Sequence, residues 1–168
     1  MTRVWQEVFF DKDKIFTLNN INRIIPKKGW YKLKDKLKIS VIGAGNMGIN
    51  HARVLSSLGY LDKIIEKDNI RRESLRKIYG NHTVTNSLGE LNSHAYVIAT
   101  PTSSHFEIAR NLILNGKHVL IEKPVCKTVE EAEALRKIAK KANVKIAVGH
   151  VERFNPVVSY LKNWLTDK

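Results

Sequence analysis

This chain of 168 residues is short of the features that mark several common protein classes. It has one cysteine, Cys126, so no internal disulfide can form, and no Cys/His group has the close paired spacing of a structural zinc site. No metal site is therefore expected. No stretch approaches the ~18 consecutive apolar residues that a membrane-spanning helix needs, and Glu7, Asp11 and Asp13 stand where a signal peptide would be apolar. The expected setting is cytoplasmic, with no membrane partner. Low-complexity tracts are missing, and 27% charged residues alongside 43% hydrophobic ones give a chain able to bury a core. Length allows one domain and little more.

Acidic residues are also scarce, 16 against 29 Lys and Arg, for a formal net charge of +13. Such an excess raises nucleic-acid binding, so its distribution matters. Residues 1–38 carry 10 Lys/Arg and 4 Asp/Glu, and the rest of the excess is diffuse. Lys27, Lys28, Lys32, Lys34, Lys36 and Lys38, interleaved with Trp30 and Tyr31, have the makings of a phosphate-contacting, base-stacking segment. Charge runs are more often solvated faces, so nucleic acid is not the expected partner. Residues 1–36 also hold six of the 13 aromatics, Trp5, Phe9, Phe10, Phe16, Trp30 and Tyr31, too many for a plain flexible tail. We read them as an N-terminal extension with local structure, packed on the domain or on a partner.

From residue 37 the pattern changes, and apolar segments alternate between strand-like and helix-like lengths. Strands are expected at residues 37–42, 61–66, 83–85, 95–99, 118–121 and 145–148. Between them lie amphipathic helices. The first carries Met47, Ala52, Val54, Leu55 and Leu58, and the second carries Ile70, Leu75, Ile78 and Tyr79 and stops at Gly80. A third runs from about Ser104 to Asn115, with Gly116 as its left-handed terminator. Thr128 followed by Glu131 forms a capping box for a fourth, expected to bury Val129, Ala132, Leu135, Ile138, Ala139 and Ala142. Nearly continuous apolar strands separated by such helices indicate an α/β doubly wound, mostly parallel six-stranded sheet with helices on both faces. The expected strand order is 3-2-1-4-5-6.

Gly43-Ala44-Gly45-Asn46-Met47-Gly48 fits GxGxxG after a strand and at the opening of a helix, answered by Glu66 at the end of the next strand. Gly43 permits a tight turn, Gly45 lets backbone approach a pyrophosphate, and Gly48 allows close helix-to-strand packing. Backbone amides at the helix N-terminus, with Asn46 and Met47, then hold the phosphates. Glu66 would accept from the adenosine ribose hydroxyls, which favours NAD. Lys67, Arg71 and Arg72 leave NADP open as the second choice.

Ligands of such sheets bind beyond the carboxyl ends of the strands. The later turns there read Thr100-Pro101-Thr102-Ser103-Ser104-His105, Glu122-Lys123-Pro124, and Gly149-His150-Val151-Glu152-Arg153-Phe154-Asn155-Pro156. This ordered set, following the glycine fingerprint, resembles the Gfo/Idh/MocA oxidoreductase family over roughly residues 37–160. The last stretch resembles the family's nucleotide-sugar branch, such as UDP-N-acetylglucosamine 3-dehydrogenases. The resemblance implies a nicotinamide dinucleotide as cofactor and a sugar or nucleotide sugar as substrate, oxidised at a hydroxyl by hydride transfer. It makes Lys123 the catalytic lysine near the nicotinamide and the substrate hydroxyl, with a surface ion pair to Glu122 as the bland reading. It puts Thr100 and Pro101 on the adenosine and ribose side and Glu122 on the nicotinamide ribose. His105 either faces the cofactor or is a satisfied helix-face residue. Arg153 and Asn155 are either cofactor-proximal or turn caps. The remaining histidines, among them His51, His94 and His118, receive no role.

The resemblance also implies a second α/β domain that supplies much of the substrate pocket. This chain ends 12 residues after Pro156, so the expected organisation is extension 1–36, dinucleotide-binding domain 37–155, and the start of a connecting helix at 156–168. Val157, Val158, Leu161, Trp164 and Leu165 form an apolar stripe on that helix, open to a separate substrate-domain chain or a second copy. A non-catalytic NAD-binding or regulatory module, or a remnant needing a partner chain, stands as the alternative reading.

Overall fold

The computed structural model describes residues 37–166, so the expectations for the N-terminal extension lie outside the described residues. Six strands follow in chain order: β1 (Ile39–Ile42), β2 (Leu61–Ile65), β3 (Val84–Thr85), β4 (Ala95–Ile98), β5 (His118–Ile121) and β6 (Ile146–Val148). Helices α1 (Asn46–Ser57), α2 (Asn69–Tyr79), α3 (His105–Leu114) and α4 (Val129–Ala142) cross between them, and α5 (Pro156–Thr166) follows β6. All pairings are parallel, in the order β3-β2-β1-β4-β5-β6. The expected architecture and strand order hold.

The period-2 alternation of strands explains how one sheet feeds two cores. Ile42, Ile65, Tyr96, Ile98, Val119 and Ile121 point to one face and pack with Ala109, Leu112 and Ile113 of α3 and Leu135 and Ala139 of α4. Their neighbours Val41, Ile64, Ala95, Val97 and Leu120 point to the other, against Ala52 and Leu55 of α1 and Leu75 of α2. The helices therefore change face between β1 and β4, which opens a crevice at the carboxyl ends of these two strands.

Local chemistry sets the ends of the elements. Asp68 caps α2 by accepting from the Arg71 amide at 2.7 Å, and Thr128 caps α4 by accepting from the Glu131 amide at 3.2 Å. Gly116 takes φ 70° after α3, as a left-handed terminator should. Among the residues expected on apolar helix faces, Met47, Ile70, Ile78 and Val129 are exposed instead. Helix α2 covers the two-residue edge strand β3 and seats only Leu75 fully, while Val129 stands in the first turn of α4 beyond the sheet. On α5, Val157, Val158, Leu161, Trp164 and Leu165 are all exposed. Among the described residues no helix is long and apolar enough to cross a membrane.

Candidate functional site

The parallel ladder runs one step past the strands themselves. Glu66 donates its amide to Thr85 O at 2.9 Å, Gly43 to Ile65 O at 2.8 Å and Ala99 to Ile42 O at 2.8 Å. Glu122 then donates to Ile98 O at 2.9 Å, and Gly149 to Ile121 O at 2.8 Å. Glu66, Gly43, Ala99, Glu122 and Gly149 thus form one row across the carboxyl edge of the sheet. Every turn singled out in the sequence departs from this row.

The glycines of the first turn answer to different constraints. Gly43 has φ 85°, and a Cβ there would stand 2.8 Å from the Ala99 carbonyl oxygen. At Gly48 a Cβ would fall 1.8 Å from Gly43 O, so α1 can reach the turn only with glycine at that position. Gly45 is different: its φ is −67° and a Cβ would meet nothing within 4 Å among the described residues. Nothing in the packing of the described residues asks for glycine at 45. Gly45 is also the N-cap of α1, without a side-chain cap and with no acidic residue in the first turn. The positive end of α1 at Asn46, Met47 and Gly48 therefore lacks the side-chain acceptors that α2 and α4 carry.

Glu66 is buried beside this turn. Its Oε2 accepts from the Ala44 amide at 2.8 Å and from Arg71 at 3.3 Å, and its Oε1 accepts from the Asp68 amide at 2.8 Å. Burial alone would raise its pKa, but the Asp68 and Ala44 amides and the Arg71 guanidinium outweigh it and hold the carboxyl below its ordinary value. A carboxylate has about four acceptor positions, so at least one remains for a hydroxyl. Arg72 is committed elsewhere: it donates to the carbonyls of Glu66 and Lys67 at 3.1 and 3.0 Å and to Asn69 Oδ1 at 2.6 Å.

After β4, Thr100 is half-buried, with its Cγ2 3.0 Å from the point a Gly43 Cβ would occupy, and Pro101 is exposed. His105, which sequence reasoning left between facing a cofactor and packing in its helix, is 1% exposed. Its ring lies between two backbone carbonyls, Nδ1 3.0 Å from Pro124 O and Nε2 2.8 Å from Thr100 O. It ties the turn after β4 to the turn after β5.

Lys123 is exposed at the end of β5, and its peptide bond to Pro124 is cis. Glu122 is buried, and its carboxylate is engaged by groups other than the Lys123 ammonium that the bland sequence reading offered as its partner. Its Oε1 accepts from His51 Nε2 at 2.5 Å, and its Oε2 from the Lys123 amide at 3.3 Å. Burial would raise the Glu122 pKa; the hydrogen bond and charge of His51, with the amide and charge of Lys123, bring it below the ordinary value instead. His51, given no role from sequence, is thus part of the site. The available signal was its place on the apolar stripe of α1, next to Ala52 and one turn before Leu55. Beyond β6, Arg153 is exposed, while Asn155 Oδ1 accepts from the Val157 amide at 3.0 Å and so caps α5. Among the described residues no group of three or more His, Cys, Asp and Glu side chains is placed to hold a metal ion.

Comparison with known proteins agrees with this geometry. The family model of the Gfo/Idh/MocA oxidoreductases, NAD-binding Rossmann fold, matches residues 37–150. A UDP-N-acetylglucosamine 3-dehydrogenase of Acidithiobacillus ferrooxidans is 32% identical over 129 residues, 75% of this chain and 41% of that protein. A glucose-6-phosphate 3-dehydrogenase of Bacillus subtilis is 32% identical over 130 residues, 75% of this chain and 37% of that protein. The crystal structure of the UDP-N-acetylglucosamine 3-dehydrogenase GnnA from A. ferrooxidans superposes with a TM-score of 0.69 at 31% identity, covering 76% of this chain and 42% of that one. The chain therefore spans about two-fifths of the length of such relatives. It belongs to the Gfo/Idh/MocA oxidoreductase family and carries that family's NAD-binding Rossmann fold.

Proposed function

We propose that this chain is the cofactor-binding half of an NAD(P)-dependent dehydrogenase that oxidises a hydroxyl of a sugar or nucleotide sugar, such as UDP-N-acetylglucosamine. The observation that carries the cofactor reading is Gly45: a glycine that the fold does not need, at the uncapped start of α1, facing open space. That space suits a pyrophosphate held by the amides of Asn46, Met47 and Gly48. Glu66, ionised and with acceptor capacity left, suits the adenosine ribose, and Thr100 and Pro101 suit the wall on that side. With Glu66 ionised and Arg72 engaged by carbonyls, a 2′-phosphate is the poorer fit, so NAD is favoured over NADP.

When bound, NAD supplies a nicotinamide that accepts hydride from the substrate carbon. Lys123 is the residue of this chain suited to take up the proton of the substrate hydroxyl, from a turn at the same sheet edge. Glu122 fixes that turn and, with acceptor positions left beyond His51 and the Lys123 amide, stays a candidate for the nicotinamide ribose; His105, with both ring nitrogens on backbone carbonyls, acts by fixing the turn. Arg153 stays a candidate contact to cofactor or substrate; Asn155 serves α5. Relatives at the same identity are named for a nucleotide sugar and for a sugar phosphate, which supports a phosphorylated or nucleotide-linked sugar as substrate class. The exposed face of α5 suits a substrate-domain surface. A single buried cysteine fits a cytoplasmic setting.

Calorimetric titration with NADH and NADPH tests the reading, with Gly45→Asp as control. Aspartate is a good N-cap at a position with ordinary φ, so the variant should fold as well as the wild type. NADH should bind more tightly than NADPH, and Gly45→Asp should abolish both. A folded wild type that binds neither would overturn the proposal.

A further inference from the structure

Among the buried titratable groups, one pair joins parts of the fold far apart in sequence. His51 lies on α1, the helix that opens at Gly45, and Glu122 at the end of β5, directly before Lys123. Both side chains are nearly closed to solvent, 8% and 6% exposed. A carboxylate only accepts, so the 2.5 Å contact requires the proton on His51 Nε2, donating to Glu122 Oε1. The second oxygen takes the Lys123 amide at 3.3 Å. The lid of this arrangement is Gly149 at the end of β6, where a Cβ would stand 2.9 Å from the Glu122 carboxylate. One carboxylate thus gathers the phosphate-side helix, the lysine turn and the last strand end.

Building on the cofactor reading above, we propose that the His51–Glu122 pair is a positioning device, setting the Lys123 turn at a fixed distance from the N-terminus of α1 so that the nicotinamide half of the dinucleotide is seated. The physical basis is the strength of a buried, charge-assisted hydrogen bond, which resists the sliding of α1 against β5 that a purely apolar contact would allow. The adenosine half is held by other groups, the α1 amides and Glu66, none of which involves Glu122. The device should therefore act on one end of the ligand alone.

This asymmetry is the test. NADH and ADP-ribose, which lacks the nicotinamide, are titrated against the wild type, His51→Ala, His51→Gln and Glu122→Gln, with thermal melting as the check on folding. His51→Ala should lose about tenfold in NADH affinity, the size expected from one charged hydrogen bond, and hold ADP-ribose within about twofold. Glutamine at 51 keeps an N–H donor and should restore most of the loss. Should His51→Ala fail to fold, Glu122→Gln removes the charge at unchanged shape and should show the same selective loss. Equal losses for both ligands in a folded variant, or no loss for either, would overturn the positioning role. A wild type that binds ADP-ribose and NADH equally would also overturn it, because no nicotinamide seat is then formed. If the wild type binds neither, the cofactor reading itself fails and this role falls with it.

Discussion

At the scale of single residues, three glycines of one motif do three separable jobs. Gly48 is demanded by the protein: a Cβ 1.8 Å from Gly43 O cannot be relieved without moving backbone. Gly48→Ala should therefore destabilise the fold by several kcal/mol, at or above the ~3 kcal/mol reached by ordinary overpacking. Gly45→Ala should change stability by only a few tenths, roughly ±0.5 kcal/mol, as at an open position. Urea unfolding of the two variants measures this directly, and equal losses would refute the separation. The motif itself was legible in the sequence, because GxGxxG between a strand and a helix constrains its own backbone. The division between Gly45 for the ligand and Gly48 for packing was legible too; how little room Gly43 and Gly48 have was not, since that depends on Ala99 and on the path of α1. His51 was illegible for a similar reason: its partner lies 71 residues away. Nothing local distinguishes a histidine that meets a buried carboxylate from one that fills an apolar stripe.

At the scale of elements, the amino ends of the strands are closed by imidazoles. His94 Nδ1 accepts the Lys38 amide and His118 Nδ1 accepts the Lys145 amide, each at 3.1 Å. An acceptor nitrogen cannot carry a proton, so charging His118 breaks the bond at the start of β6. Burial, then the charges of Lys145 and His94, hold the His118 pKa below its ordinary 6.5. The unfolded chain then binds this proton more readily than the fold does. Stability from this group is complete above pH 6.5 and declines as pH falls toward the lower folded value. The urea midpoint should drop between pH 7.5 and pH 5.5, above the range where Glu66 and Glu122 titrate, and His118→Gln should flatten the drop. An unaltered slope in that variant would refute the assignment. Element types and two of the caps were readable from sequence because periodicity and capping are local: Thr128 and Gly116 act within four residues of their own position. The exposure of Ile70, Ile78 and Val129 was not readable, because it depends on how far a helix overhangs a short edge strand.

At the scale of the whole molecule, the strand order was legible because parallel strands with right-handed crossovers leave few alternatives for six βα units. The order in turn places the crevice between β1 and β4, and the ladder past the strand ends aligns Glu66, Gly43, Ala99, Glu122 and Gly149 along it. What sequence alone could not give was the division of labour along that row. Glu122, which family resemblance assigns to the nicotinamide ribose, also holds His51 and the Lys123 amide from inside the fold, and Lys123 alone of the pair faces outward.

The central claim is that the dinucleotide lies across this carboxyl edge, from Glu66 over the start of α1 to Lys123. The measurement that tests it most directly is backbone amide chemical-shift mapping by NMR on addition of NADH. The expected result is a contiguous set of shifts at Gly45, Asn46, Met47, Gly48, Glu66, Thr100 and Lys123, with Lys38, His94, His118 and Lys145 at the opposite edge unchanged. Shifts concentrated at that opposite edge, or none at saturating NADH, would contradict it.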